Sequence, residues 1–103
     1  MANYRKVARA DDIPPGAKKI VEVDGVEIVI VNLDGAFYAL EDVCTHDGGP
    51  LGEGRLEGCQ LICPRHGARF DVRTGAALTM PAVEAAPTYA VRVQDGDVLV
   101  EAF

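Results

Sequence analysis

Ile20-Val21-Glu22-Val23-Asp24-Gly25-Val26-Glu27-Ile28-Val29-Ile30-Val31 carries two apolar or alternating runs split by an Asp-Gly pair. A second pair, Asp34-Gly35, precedes Ala36-Phe37-Tyr38-Ala39-Leu40. Aspartate and glycine enter positive φ at little cost, so such a pair between apolar runs predicts a tight β-hairpin. The pattern returns near the end, where Asp95-Gly96 joins Tyr89–Val93 to Asp97–Val100. There Val91, Val93, Val98 and Val100 alternate with Arg92 and Leu99, as half-buried strands do. Three hairpins in so short a chain predict an antiparallel all-β fold. Helix signals are weak: Pro14, Pro15 and Gly16 stop any turn begun at Asp11-Asp12-Ile13 from growing.

The chain has 103 residues, 49% of them hydrophobic and 25% charged, which fits one globular domain spanning 1–103. A chain of this size buries roughly 65% of its unfolded surface, enough for a modest core but not for a second, catalytic domain. No apolar run approaches the roughly 20 residues needed to cross a bilayer. The N-terminus Met1-Ala2-Asn3-Tyr4-Arg5-Lys6 lacks the apolar stretch of a signal peptide, so a cytoplasmic location is expected. The formal net charge is −6, although residues 1–20 carry five Lys/Arg against two Asp. Nucleic acid and membrane are therefore not expected partners. The acidity serves solubility, or it steers the molecule toward a basic protein partner.

Residues 42–75 stand apart. They hold all three cysteines, both histidines and seven of the eleven glycines. An odd cysteine count argues against a disulfide scaffold and for metal or redox use. Cys44-Thr45-His46 and, sixteen residues on, Cys63-Pro64-Arg65-His66 each offer one thiolate and one imidazole. Two such half-sites on facing Gly-rich loops can clamp one metal centre. A four-cysteine cluster is impossible with Cys44, Cys59 and Cys63 alone. A tetrahedral Cys2His2 zinc site remains open, as does a set of core residues with no ligand role. Pairing Cys with His twice suits a two-iron cluster whose irons take two thiolates and two imidazoles respectively.

These motifs, with Gly67 and the downstream Phe70-Asp71-Val72-Arg73-Thr74-Gly75, resemble the signature of Rieske [2Fe–2S] ferredoxins serving bacterial ring-hydroxylating dioxygenases. The resemblance implies a Rieske-like antiparallel β-sandwich with a small cluster-binding subdomain of two ligand loops, about residues 42–75. It implies one [2Fe–2S] cluster, held by Cys44 and Cys63 on the inner iron and by His46 and His66 on the outer. Gly48, Gly49, Pro50, Leu51, Met80 and Pro81 would form an apolar rim where a partner docks. For Leu51 and Met80, core packing is the competing reading.

High-potential members of the family add a disulfide between the ligand loops, but Gly49 and Arg65 stand at those positions here. They also donate hydrogen bonds to the cluster from a serine and a tyrosine, where this chain has Ala68 and Phe70. Fewer donors imply a potential near the low end of the Rieske range, about −150 mV. Cys59 is left over and reads as a buried free thiol at the start of a strand leading into Cys63.

The implied role is a one-electron carrier, expected to be a monomer. It would pass electrons from an NAD(P)H-dependent flavoprotein ferredoxin reductase to a terminal oxygenase. The chain is not expected to be an enzyme. Both histidines are committed, so neither a mononuclear iron nor a base for Cys59 remains, and no dinucleotide fingerprint is present. The alternative is a small non-catalytic subunit of a larger reductase, resembling that of assimilatory nitrite reductase.

Overall fold

The computed structural model describes residues 3–43, 49–65, 67–79 and 84–102. Among them ten strands follow in order: β1 (Asn3–Arg9), β2 (Lys18–Val23), β3 (Val26–Leu33), β4 (Ala36–Glu41), β5 (Arg55–Glu57), β6 (Gln60–Ile62), β7 (Arg69–Asp71), β8 (Thr88–Tyr89), β9 (Val91–Gln94) and β10 (Asp97–Ala102). All pairings are antiparallel, and they make three sheets: β1-β10-β9, β2-β3-β4-β8 and β5-β6-β7. Among the described residues the only helical pieces are two single 3-10 turns, Ala10–Asp12 and Leu51–Glu53. No helix among them is long and apolar enough to cross a membrane.

All three Asp-Gly pairs form the expected turns. Val23 faces Val26, Leu33 faces Ala36 and Gln94 faces Asp97, which leaves two-residue loops. Asp24, Asp34 and Asp95 take φ of 51°, 52° and 53°, and the glycines that follow are also positive. Two successive positive φ angles give the turn whose twist matches that of the flanking strands.

Strand β3 organises the interior, because both of its faces are buried. Ile28 and Ile30 point into a core shared with Val98 and Val100 of β10, Ala8 of β1 and Ile13. Val29 and Val31 point the other way, into a core shared with Leu40, Leu51, Leu61, Cys63, Ala68, Phe70 and Val72. The two-residue period of the strand sorts its side chains between the two cores. The first core joins the β1-β10-β9 sheet to the central sheet, and the second joins the central sheet to β5-β6-β7.

Asn32, next along β3, is a buried polar residue with every contact satisfied. Its Nδ2 donates to the Ile13 carbonyl at 2.7 Å, and its Oδ1 accepts from the Gly35 amide at 2.7 Å. Its own amide donates to the Ala17 carbonyl, and its carbonyl accepts from the Gly16 amide. One side chain thus ties the β3–β4 turn to the segment following Ala10–Asp12.

Two expectations need revision. The run Tyr89–Val93 is not one strand: Tyr89 pairs with Ala39 of β4, whereas Val91 pairs with Val100 of β10. The chain changes sheets at Ala90, whose carbonyl accepts from the Glu101 amide. Cys59 does not begin a strand. It sits with Gly58 in the turn between β5 and β6, where Glu57 faces Gln60. It is half-buried against the second core, not fully buried, and its carbonyl accepts from the Val72 amide at 2.9 Å.

Candidate metal centre

The chain leaves the central sheet after Glu41 and rejoins it at Thr88, and the two ends of the excursion are bonded together. The Glu41 amide donates to the Pro87 carbonyl at 2.9 Å, and the Asp42 amide to the Glu27 carbonyl at 2.8 Å. The first motif begins two residues after Asp42 and the second follows β6.

The Cys63 amide donates to the Ala68 carbonyl at 2.7 Å, and the Gly67 amide donates to the Cys63 carbonyl at 3.0 Å. These bonds close a short loop at its base. Pro64, Arg65 and Gly67 are exposed, while Cys63 at the stem is only 1% exposed. Gly67 has φ +76°, which a residue with a Cβ adopts only at a cost. The Cys63 thiol is in no disulfide and lies among Leu51, Leu61, Ala68 and Phe70. A soft donor at the floor of an apolar cup beneath a wet loop tip fits the inner position of a thiolate-held cluster, whose outer ligands would face solvent.

Cys44, His46, Gly48, His66, Met80 and Pro81 lie outside the described residues. Among the described residues no group of three or more His, Cys, Asp or Glu side chains is arranged to hold a metal ion. Of the rim expected around the site, Gly49 is buried and Pro50 half-buried. Leu51 is fully buried and belongs to the core, not to the rim. Leu78, which the sequence reading did not single out, is 44% exposed just before the segment containing Met80. Its signal was a lone leucine in a Gly/Ala-rich stretch. Ala68 and Phe70, buried in the same core as Cys63, bring no hydroxyl of their own to it.

The strand after the second loop is braced by charge. Asp71 accepts from the Arg73 amide at 2.8 Å and takes the guanidinium through both carboxylate oxygens, from Nε at 3.1 Å and Nη2 at 2.9 Å. This side-chain hydrogen bonding holds the Asp71 carboxyl below its ordinary range, against a smaller opposing effect of burial. Glu57 is lowered likewise, by Arg69 first and then by Arg55. Arg69 also reaches Gln60, so it laces the three strands β5, β6 and β7 together.

The family model of the Rieske [2Fe–2S] domain matches residues 3–90. A ferredoxin component of the naphthalene 1,2-dioxygenase/salicylate 5-hydroxylase systems of Ralstonia sp. is 38% identical over 99 residues, which is 96% of this chain and 95% of that protein. Among solved structures, the ferredoxin of carbazole 1,9a-dioxygenase from Nocardioides aromaticivorans IC177 superposes with a TM-score of 0.94 at 33% identity. That match covers 99% of this chain and 100% of the other. A ferredoxin captured in a complex of reduced oxygenase and oxidized ferredoxin in carbazole 1,9a-dioxygenase gives 0.90 at 35% identity, with 95% and 92% covered.

Proposed function

This chain belongs to the Rieske [2Fe–2S] domain family and carries one [2Fe–2S] cluster, and from that premise we propose that it is the ferredoxin of an aromatic-ring oxygenase system. It takes single electrons from an NAD(P)H-dependent flavoprotein reductase and delivers them to a terminal oxygenase. It is an electron-transfer component and not itself the catalyst. One observation carries the reading: the match to ferredoxin components runs over nearly the full length of both partners. The same observation favours the carrier over a small subunit of a nitrite reductase.

In this reading Cys44 and Cys63 hold the inner iron and His46 and His66 the outer one. The cluster, when bound, supplies a reversible one-electron change. The chain's own residues do the rest. The apolar cup of Leu51, Leu61, Ala68 and Phe70 keeps water from the Cys63 thiolate. The closed base between Cys63 and Ala68 fixes the direction of that thiolate. The absence of hydroxyls at Ala68 and Phe70 leaves added negative charge less stabilised, which supports a low potential. Residues 1–103 form one domain, with the cluster-binding part, about 42–75, set into the β-framework. In this reading the protein works in the cytoplasm.

Visible absorption and low-temperature EPR, before and after dithionite reduction, test the assignment. Red-brown bands and a reduced signal with average g below 2 are expected. A colourless, EPR-silent protein with stoichiometric zinc would overturn it.

A further inference from the structure

The 3-10 turn Leu51–Glu53 falls between the two motifs along the chain and packs against β2, β3 and β6. Its central residue, Gly52, is gripped on both backbone polar groups by side chains. The Gly52 amide donates to Asp42 Oδ1, and Lys18 Nζ, reaching over from β2, donates to the Gly52 carbonyl, each at 2.5 Å. Both bonds are part-buried and each has one charged partner, which makes them stronger than neutral exposed ones. A Cβ at position 52 would stand 2.9 Å from Asp42 Oδ1 and 2.9 Å from Ile20 Cγ1, so a larger residue there would push one of these side chains aside.

The same turn touches both loop stems. Asp42 begins the first loop, two residues before Cys44. At the other end, a Cβ on Gly54 would fall 1.8 Å from the carbonyl oxygen of Ile62, the residue before Cys63. Leu51 shares the core that surrounds the Cys63 thiol. Any shift of the turn is therefore felt by both stems at once.

We propose that Lys18 and Asp42 are positioning residues for the cluster: by locking Gly52 from two sides they hold the first ligand loop in register with the second. The proposal rests on the assignment of Cys44, His46, Cys63 and His66 as ligands. Lys18 acts from the framework sheet, outside both loops, and connects cluster retention to a strand that carries no ligand.

The test uses the purified holo-protein and the rate at which a chelator bleaches its visible bands, with EPR of the reduced state as a second readout. Lys18→Met and Asp42→Ala should each bleach about 10-fold faster, the scale of lost supporting contacts around metal ligands. They should also broaden the reduced g-values. Lys18→Arg should restore the parent rate. Lys19→Met, which removes an exposed neighbouring charge, should not change it. The double variant should be no faster than the faster single variant, because both side chains act through Gly52.

Parent-like rates and spectra in Lys18→Met would overturn the proposal, as would equal effects of Lys18→Met and Lys19→Met. If Asp42→Ala does not fold, Lys18→Met with its arginine rescue decides alone. A parent protein without the visible bands removes the ligand assignment itself, a distinct result.

Discussion

Cys63 and Ala68 share one backbone hydrogen bond and one core: the Cys63 amide donates to the Ala68 carbonyl at 2.7 Å, and both side chains face the interior behind that bond. A side chain at position 68 is thus held close to the stem of the second loop without being part of it. Ala68→Ser should raise the reduction potential. A hydroxyl bonded more strongly to the reduced cluster by about 1 kcal/mol shifts a one-electron couple by about 40 mV. Redox titration followed by EPR measures this. An unchanged midpoint would show that the hydroxyl does not reach sulfur.

Loss of a ligand should be absolute. Cys63→Ala and His66→Ala should yield colourless protein with loosened loops, because cluster binding and local folding are coupled. Cys59→Ser should keep the full visible spectrum, since Cys59 lies in the β5–β6 turn, away from the Cys63 stem. Bleaching in Cys59→Ser would give that thiol a role in the site.

Asn32 should matter to stability more than to redox behaviour. Asn32→Ala leaves the Ile13 carbonyl and Gly35 amide without their side-chain partner, at a cost of about 1–3 kcal/mol. Denaturant unfolding followed by circular dichroism should show an earlier midpoint. A parent-like midpoint would mean that water replaces both contacts.

Alkaline pH should weaken the β4–β8 junction. Tyr89 donates its hydroxyl to Glu41 Oε1 at 3.1 Å, and burial together with this bond pushes its pKa from 10.0 up to about 12. The folded state therefore keeps a proton that the unfolded chain gives up. The resulting stability is fully present below pH 10 and declines as pH rises toward 12. Tyr89→Phe should remove that part of the alkaline slope. An identical alkaline profile in the variant would refute the linkage.

Partner encounter should be sensitive to salt. The net charge of −6 is the sum of +3 over residues 1–20 and −9 over the rest of the chain, and reduction adds one further negative charge. Stopped-flow reduction of the oxygenase should slow as ionic strength rises past about 0.1 M, where the screening length falls to about 10 Å. A flat rate would rule out steering.

The Asp-Gly turns were legible because their cause is local: two adjacent residues that accept positive φ set the hairpin wherever apolar runs flank them. The proposed ligand set Cys44, His46, Cys63 and His66 was read in a similarly local way, from residue type and spacing. Strand β1 was not. Arg5, Lys6 and Arg9 mask its alternation, and its partner β10 lies at the opposite end of the chain, where no short-range signal reports it. The break at Ala90 was equally hidden, because both halves of Tyr89–Val93 have strand character and only their separate partners divide them.

Sequence by itself determined the turns, the all-β class and the kind of metal centre, each through the chemistry of a few adjacent residues. Tertiary structure alone decided that β3 is buried on both faces and that Leu51 belongs to the core beneath Cys63. It alone brought Lys18, Asp42 and Gly52 together. These depend on which distant segments pack against each other, and that follows from the burial of the whole chain, not from any one stretch of it.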